Sequence, residues 1–423
     1  MVVYSEADAH SLPVHLADEA ICVGPASSRE SYMNIPAIIS AALISGAQAI
    51  HPGYGFLSES ADFSEVCREH GLVFIGPPPE VLARFHDKAA TRAAMKQIGL
   101  PVVPGSDGLV RTLSEALRVA EVIGYPVMLK ARAGGGGRGM RKSESAKDLQ
   151  RMWDQARAEA KASFGDEGIY LERNLEGVRH VEAQVLVDGH GNAVCLGERE
   201  CSIQRRHQKM IEEAPSASIG LELRGRIAEM AVDAAVRFGY RNVGTFEFLV
   251  DAQGEPYFIE VNARIQVEHT VTEMVTGVDL VKEQIAIASG ERLSFSQEQV
   301  WVNGHAIECR INAEDPANGF QPSAGVLASF LPPSGPGIRV DTHCFQGYEV
   351  PPYYDSLLAK VIAWGRDRPE AVARMHRALD EFTVVGVLTN IPAHKKILAS
   401  DLFREGKVTT HLIDTVGVEA LAG

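Results

Sequence analysis

The segment from Thr245 to Val261 constrains the fold more than any other, because it is typical of two strands joined by a turn. Thr245 to Val250 and Pro256 to Val261 are largely apolar runs of strand length, and DAQGE lies between them. A reversal at Gln253-Gly254 predicts these cross-strand pairs: Val250 with Tyr257, Phe248 with Ile259 and Glu247 with Glu260.

This register places two carboxylates face to face. Opposed glutamates lie about 5 Å apart at Cβ and repel, so a compensating charge is expected. Asn262 and Arg264 share the face of Glu260. Two carboxylates and an amide suit Mg²⁺ or Mn²⁺ and do not suit zinc. The alternative is a solvated strand pair, which the apolar opposite face disfavours; that face contains Phe246, Phe248, Phe258 and Ile259.

A run of glycines indicates a second binding element. In YPVMLKARAGGGGRGMRKSES, the residues Gly134 to Gly137 separate two strand-like segments, and a helix is expected only from Ser145, with Asp148 spaced for a capping box. The pattern is neither a dinucleotide fingerprint nor a Walker A loop. Glycines allow backbone N–H groups to approach a polyphosphate, and Lys130 could reach the same phosphates. The alternative is a flexible surface turn.

A basic cluster stands out in an acidic chain. The chain has 41 Lys and Arg against 55 Asp and Glu, a net charge of −14. Strand alternation predicts Arg205, His207 and Lys209 on one face of RECSIQRRHQKMIEEAP, and Gln204, Arg206 and Gln208 on the other. We interpret the cluster as a local anion site, although a solvated loop paired with Glu212 and Glu213 is the alternative. His180, taken alone, is ambiguous.

The order of elements predicts an α/β and α+β architecture. The first hundred residues alternate short strands and helices, which is typical of a parallel sheet, and antiparallel hairpins dominate from Glu176 onward. We expect three regions: 1–103, 104–175 and 176–423.

Composition excludes several functional classes. The acidic balance disfavours nucleic-acid binding, and no apolar run is long enough to span a membrane. The scattered cysteines and the lack of a secretory signal favour the cytoplasm. The cysteines are Cys22, Cys67, Cys195, Cys201, Cys309 and Cys344.

Taken together, these segments resemble the biotin carboxylase family of the ATP-grasp superfamily. The similar motifs, which cover nearly the whole chain, are HPGYGFLSES, IGPPPEVLARFHDKAATRAAMK, GGGGRGM, GYRNVGTFEF, RIQVEHTVTEM, HAIECRINAEDP and VPPYYDSLLAKVIAWG. The resemblance implies an ATP-grasp fold with a truncated parallel-sheet N-terminal lobe, a small flap lobe and a large antiparallel-sheet C-terminal lobe. It also implies an ADP-forming ligase that carboxylates biotin with bicarbonate through carboxyphosphate, within a carboxylase such as acetyl-CoA carboxylase of fatty acid biosynthesis.

The resemblance also implies a role for individual residues. Those expected to contact ATP are Lys88, Lys130, Gly136, Gly137, His180, Gln204 and His207, with Glu172, Arg173, Asn174 and Leu175 around adenine. Those expected to hold Mg²⁺ or Mn²⁺ are Glu247, Glu260 and Asn262. Those expected around bicarbonate are Lys209, Arg264, Gln266 and Val267, with Glu268 as general base. Arg310 would stabilise the biotin enolate, and Tyr54 would shape the biotin end.

Partners follow from the same resemblance. Biotin is expected as a substrate on a carrier domain, with a carboxyltransferase as a further partner and a homodimer as the possible assembly. AAMKQ at Ala93 to Gln97 resembles a biotin acceptor only superficially, because it lies in a helical pattern.

The sequence departs from the family pattern in three places. The start, MVVYSEAD, resembles the family's second strand, so the first strand and helix are missing, which would weaken this lobe and any dimer that uses it. Arg132 stands where a small residue is usual, and Thr270 where proline is usual. Two alternatives remain open: a catalytically impaired ATP-binding fragment of the family, and another ATP-grasp ligase such as a purine-pathway carboxylase or a carbamoyl phosphate synthetase lobe.

Overall fold

The computed structural model describes residues 1–132 and 139–417, and begins with alternating strands and helices. The strands are β1 (Val2–Ser5), β2 (Ala20–Gly24), β3 (Ala49–Ile50) and β4 (Val73–Phe74). The helices are α1 (Leu12–Leu16), α2 (Ile35–Ile44), α3 (Ala61–Glu69), α4 (Pro79–His86) and α5 (Lys88–Gln97). β1 pairs with β2 and β3 with β4, both in parallel, which confirms the predicted pairing direction.

A three-stranded antiparallel sheet and two helices follow. They are α6 (Leu113–Ile123), β5 (Val127–Ala131), β6 (Met140–Ser143), α7 (Ala146–Phe164) and β7 (Ile169–Arg173), and β5 is the central strand. The predicted cap of α7 is confirmed, because Ser145 Oγ accepts a hydrogen bond from Asp148 N at 3.3 Å. The glycines that we expected to cover a polyphosphate, including Gly136 and Gly137, lie outside the described residues.

The rest of the chain is built around an eight-stranded sheet. Its strands are β8 (Arg179–Val187), β9 (Ala193–Arg205), β10 (Gln208–Ala214), β11 (Asn242–Val250), β12 (Pro256–Asn262), β13 (His305–Asn312), β18 (Ile338–Thr342) and β20 (Leu357–Gly365). They are arranged in the order β12-β11-β8-β9-β10-β13-β20-β18. Short strands form small ribbons beside it: β14 (Glu314–Asp315), β15 (Gln321–Pro322), β16 (Gly325–Val326), β17 (Ser329–Leu331), β19 (Glu349–Val350) and β21 (Thr383–Val385). Every ladder of the large sheet is antiparallel, as expected from the hairpin pattern after Glu176.

Seven helices pack around this sheet within the described residues. They are α8 (Leu221–Arg237), α9 (His269–Thr276), α10 (Leu280–Ala288), α11 (Arg368–Glu381), α12 (Ile391–Ala399), α13 (Asp401–Arg404) and α14 (Leu412–Val416). α8 covers one face of the sheet, because Ile227 and Ala231 lie in the same buried cluster as Phe246 and Phe248 of β11. Strand alternation then turns Glu247 to the opposite face. Throughout residues 1–132 and 139–417, no helix has both the length and the apolar character of a membrane span.

The β11–β12 hairpin confirms the most important predicted pair and corrects the others. Glu247 lies opposite Glu260, as predicted. Near the turn, however, Phe248 pairs with Phe258 and Val250 with Pro256, so the predicted pairs of Phe248 with Ile259 and Val250 with Tyr257 are wrong by one residue. The five-residue turn from 251 to 255 shifts the register, and a bulge that leaves Ile259 without a partner in the ladder restores it before Glu260.

The predicted strand alternation through the basic cluster is wrong. The chain reverses at Arg206 and His207, which adopt positive φ values of 50° and 64° between β9 and β10. Lys209 therefore pairs across the ladder with Gln204, on the same face, and not with the face of Arg205 and His207. The turn therefore separates the basic residues: Lys209 lies opposite Gln204 in the ladder, while Arg206 and His207 lie at the exposed tip.

We expect Phe248→Ala to lower the free energy of unfolding by about 3–5 kcal/mol, because the ring is fully buried beneath the hairpin. Equilibrium urea denaturation followed by circular dichroism measures this change. Leu221→Ala is the matched control, since Leu221 is 81% exposed and its replacement should shift stability by about 0.5 kcal/mol or less. Equal effects of the two substitutions would contradict this account of the core.

Candidate active site

A row of acidic side chains crosses three neighbouring strands on the face opposite α8. Glu260 of β12 lies opposite Glu247 of β11, which lies opposite Glu182 of β8. Glu182 in turn lies opposite Arg199 of β9. Directly opposed residues share a face, so like charges accumulate here and cations must balance them.

Lys209 supplies the central balancing charge. Its ammonium donates to Glu182 Oε2 at 2.6 Å, to Glu247 Oε1 at 2.9 Å and to Glu268 Oε1 at 2.7 Å. The fully buried Arg199, opposite Glu182 in the ladder, extends the row by donating to Glu182 Oε1 at 2.5 Å. The sequence did not single out Glu182, because only the strand order places VEAQV beside the hairpin.

The charges of the site keep two buried carboxylates ionised. Burial alone would raise the pKa of Glu247, but Lys209 and His180 outweigh burial and hold the pKa well below its ordinary value. The same holds for Glu268. Burial would raise its pKa, but Lys209 and Arg310 outweigh burial and hold the pKa well below its ordinary value. Both groups therefore remain carboxylates at neutral pH.

The donor set around Glu247 fits a hard divalent cation. Asn262 Nδ2 donates to Glu247 Oε1 at 2.8 Å, so the amide of Asn262 lies against the paired carboxylates. Lys88 forms an ion pair with Glu260 and so balances the other half of the pair. Carboxylate and amide oxygens are ligands that Mg²⁺ accepts, and the ammonium groups are charges that a cation could replace.

The nucleotide candidates gather beside this hairpin. Lys130 forms an ion pair with Glu172, and Arg92 lies 3.3 Å from the same carboxylate. Lys88 is paired with Glu260 of the hairpin and Lys130 with Glu172, so each lysine expected to contact ATP phosphates is balanced by a carboxylate.

The expected adenine segment lies where β7 ends. The amide N–H groups of Arg173 and Asn174 donate to Pro104 O at 2.7 Å and to Pro126 O at 2.8 Å, which anchors the chain leading to Leu175. Within residues 1–132 and 139–417, the buried Asn174 Nδ2 has no hydrogen-bond acceptor. A buried donor of this kind suits a ligand that brings its own acceptor.

Histidine and glutamine candidates connect the acidic row to the corrected β9–β10 turn. His180 Nε2 lies 3.1 Å from Glu247 Oε2, and His180 Nδ1 lies 2.7 Å from Gln204 Nε2. His207 is exposed at the tip of the turn. The structure thus brings His180 and Gln204 to the acidic row, while His207 lies at its rim.

The loop between β12 and α9 carries the remaining candidates. Arg264 donates to Asn262 Oδ1 at 3.0 Å and to Gln266 Oε1 at 3.1 Å. Gln266 Nε2 donates to Glu247 Oε1 at 3.2 Å, so this loop is connected to the acidic row. Val267 follows Gln266 and leads directly to Glu268.

Glu59 of the first region also holds this loop, although the sequence did not single it out. Its two oxygens accept from Ala263 N at 3.0 Å and from Arg264 Nε at 3.1 Å. Glu59 belongs to HPGYGFLSES, the segment that also contains Tyr54. The motif could be recognised in the sequence, but the contact of Glu59 with residues more than 200 positions away could not.

Arg310 occupies the other side of Glu268. Its guanidinium donates to Glu268 Oε2 at 2.9 Å and to Glu212 Oε1 at 2.6 Å. Glu268 therefore lies between Lys209 and Arg310. This arrangement can hold an anion next to a carboxylate base, with a second cation beyond it.

The two departures from the family pattern have identifiable contacts. Arg132 Nε donates to Asp87 Oδ2 at 3.0 Å, next to the start of α5. Thr270 is buried in α9, and its hydroxyl donates to Glu308. Ala93–Gln97 lies in α5, where Met95 is fully buried, so the helical interpretation of AAMKQ is confirmed.

Family models match nearly the whole chain in three consecutive segments. The N-terminal domain of biotin carboxylase matches residues 1–82, the ATP binding domain of the carbamoyl-phosphate synthase L chain matches residues 87–296, and the C-terminal domain of biotin carboxylase matches residues 308–415. A biotin carboxylase of Nostoc is 52% identical over 98% of this chain and 92% of its own length.

Solved biotin carboxylase structures are also similar to nearly the whole chain. A Campylobacter jejuni biotin carboxylase in complex with β-γ-ATP aligns with a TM-score of 0.96 and 47% identity over 98% of this chain and 93% of its own. The biotin carboxylase domain of Hydrogenobacter thermophilus 2-oxoglutarate carboxylase, a dimer with MgADP, ADP and bicarbonate, aligns with a TM-score of 0.95 and 48% identity over 98% and 92%.

We expect Glu260→Gln to remove most of the affinity that Mg²⁺ adds to ADP binding, because one of the two anionic oxygen ligands is lost. Calorimetric titration of ADP with and without Mg²⁺ measures this increment. Metal-free ADP affinity should not fall, because the substitution leaves Lys88 in place. Glu255→Gln in the exposed turn of the same hairpin is the control, and an undiminished Mg²⁺ increment in Glu260→Gln would exclude this site.

Proposed function

The chain belongs to the biotin carboxylase family, and we propose that the residues on its sheet face carry out the ATP-dependent carboxylation of biotin with bicarbonate. The protein is an ADP-forming ligase. The position of Glu268 between Lys209 and Arg310 is the main support for these roles, because it places a base in contact with two cations, one for bicarbonate and one for biotin.

ATP binds beside the acidic row in this proposal. Lys88 and Lys130 contact its phosphates, with Gly136 and Gly137 of the glycine segment above them, and His180, Gln204 and His207 complete the contacts. The residues around adenine are Glu172, Arg173, Asn174 and Leu175. Glu247, Glu260 and Asn262 would hold Mg²⁺, which lowers the charge repulsion at the transferring phosphoryl group when it is bound.

Bicarbonate binds to the β12–α9 loop. Lys209, Arg264, Gln266 and the backbone of Val267 hold it, and Glu268 removes its proton. The resulting oxygen attacks the γ-phosphate, the bond to ADP breaks, and carboxyphosphate forms. Guanidinium groups suit a planar, bidentate anion better than an ammonium does.

The basicity of Glu268 depends on the same cations. In the structure, Lys209 and Arg310 hold the pKa of Glu268 well below its ordinary value, despite the opposing effect of burial. A low pKa makes a weak base. When Lys209 turns to bicarbonate and Arg310 to biotin, their stabilisation of the carboxylate decreases, and Glu268 becomes basic enough to accept the proton.

Biotin reacts at the Arg310 side. Carboxyphosphate breaks into CO₂ and phosphate, the phosphate takes the proton from the ureido nitrogen, and that nitrogen then bonds to the carbon of CO₂ to give carboxybiotin. Arg310 stabilises the negative oxygen that develops on the ureido group, and Tyr54 borders this end. Preorganised cations at a developing charge lower the barrier without reorganisation during the step.

The proposed partners follow from carrier-bound biotin being the expected substrate. Homologues of this chain act within biotin-dependent carboxylases, and we propose a biotin carboxyl carrier domain and a carboxyltransferase as partners. A homodimer is the proposed assembly, since the similar H. thermophilus domain is a dimer. The proposed regions are 1–103 for the first lobe, 104–175 for the flap and 176–423 for the metal, bicarbonate and biotin sites.

We propose the cytoplasm as the location. All six cysteines are free thiols in the structure, and four of them are fully or almost fully buried in the sheet region. Free thiols are typical of a reducing compartment.

The central test measures ADP release by the purified chain with Mg²⁺ and ATP. We expect release to require bicarbonate and to rise when free biotin is added, because biotin consumes the carboxyphosphate product. Degassed, bicarbonate-free buffer is the control. Nucleotide binding without turnover would favour the impaired fragment, and bicarbonate-dependent release that biotin does not change would favour another ATP-grasp ligase.

We expect Glu268→Gln to lower kcat by about 10²-fold or more, because the base that activates bicarbonate is lost. ADP affinity, measured by calorimetry, should change by less than about twofold, since an amide retains the shape of the side chain. Glu229→Gln on the exposed face of α8 is the matched control. Parallel loss of binding and turnover would contradict the role of Glu268 as the base.

A further inference from the structure

Lys360 lies in a row of charged residues beside the proposed bicarbonate and biotin sites. In the sheet it is opposite Arg310 of β13 on one side and Asp341 of β18 on the other. Directly opposed residues share a face, so Lys360 lies on the same face as Arg310. It is only 6% exposed, which is rare for a lysine and requires polar partners.

The ammonium of Lys360 makes its short contact with a backbone carbonyl. Nζ donates to Val267 O at 2.9 Å, whereas Asp341 Oδ2 lies 3.6 Å away. The two oxygens of Asp341 accept from Arg339 at 2.7 and 2.8 Å. The buried charge is therefore directed at the loop between β12 and α9.

This contact lies at the centre of the loop. Val267 separates Gln266 from Glu268, and Gln266 O is itself held by His269 Nδ1 at 2.7 Å. The backbone carbonyls of Gln266 and Val267 are thus both held by side-chain contacts. Because the peptide bond is planar and trans, holding the Val267 carbonyl also sets the direction of the Glu268 N–H and the point from which its side chain leaves the backbone.

We propose that Lys360 is a positioning residue that holds the Val267 carbonyl and thereby orients the bicarbonate-binding loop and its base, Glu268. The inference rests on the proposed function of that loop. Lys360 contacts neither the transferring phosphoryl group nor biotin in this scheme. Its effect is therefore expected on the use of bicarbonate, and not on the binding of ATP.

A purely structural role for Lys360 has to be separated from this one. Glu308 is fully buried near Lys360, and it accepts a hydrogen bond from Thr270. Burial raises the pKa of Glu308, while Lys360 and Arg310 lower it. Removing Lys360 alone would leave this carboxyl less well compensated and could destabilise the protein without any effect on the loop.

The first experiment compares Lys360→Met with the wild-type chain in bicarbonate-dependent ADP release. We expect the bicarbonate concentration for half-maximal rate to rise about tenfold and kcat to fall, while the ATP concentration for half-maximal rate changes by less than about twofold. Loss of one charge-assisted hydrogen bond corresponds to an effect of this size. Lys395→Met in the partly exposed α12 is the matched control and should change none of these values.

The double variant Lys360→Met/Glu308→Gln separates the two roles. It removes the buried carboxylate together with the lysine, so thermal stability should return toward that of the wild type, while the bicarbonate requirement stays raised because the carbonyl still lacks its donor. Return of the bicarbonate requirement to the wild-type value would overturn the inference, as would an unchanged requirement in a folded Lys360→Met. A wild-type chain without bicarbonate-dependent release would instead contradict the proposed function itself.

Discussion

The contact of one ammonium, that of Lys209, with Glu182, Glu247 and Glu268 is the interaction on which the rest of the site depends. Three carboxylates on neighbouring elements could not be buried together without it, because each lost hydration must be offset by an opposite charge at short range. Lys209 reaches them only because the chain reverses at Arg206 and His207 and places its strand beside β9. The strained turn and the acidic row are thus parts of one arrangement.

The sequence predicted the hairpin pair of Glu247 and Glu260 for a partly wrong reason. A regular ladder from the assumed turn gives the correct pair, but the actual turn is shifted by one residue and the bulge at Ile259 compensates. Turn length and bulge position depend on how the strands pack on α8, and local periodicity does not contain this information. The faces of Phe246 and Phe248, by contrast, follow from alternation alone and were predicted correctly.

Residues that act across strands or regions could not be predicted from the sequence. Glu182, Glu59 and Lys360 lie in segments whose type was recognisable, but their contacts depend on the order β12-β11-β8-β9-β10-β13-β20-β18. Strand order is set by the packing of the whole sheet and by long connections, so no local pattern encodes it. A charged residue inside an apolar strand, as in LLAKVIAW, was the signal that could have drawn attention to Lys360.

Within residues 1–132 and 139–417, the lysines and arginines of the site are paired with carboxylates, and this affects how ligands bind. Lys88 is paired with Glu260, Lys130 with Glu172, and Arg264 with Glu59. To contact one of these cations, a phosphate or bicarbonate must displace the carboxylate that is already paired with it. The affinity therefore depends on the difference in free energy between the new contact and the displaced one. Such exchange is favourable only when the freed carboxylate gains a new partner. In the proposed site a divalent cation would be that partner for Glu260, so binding of the metal and of the anionic substrate would be coupled through the same pair of side chains.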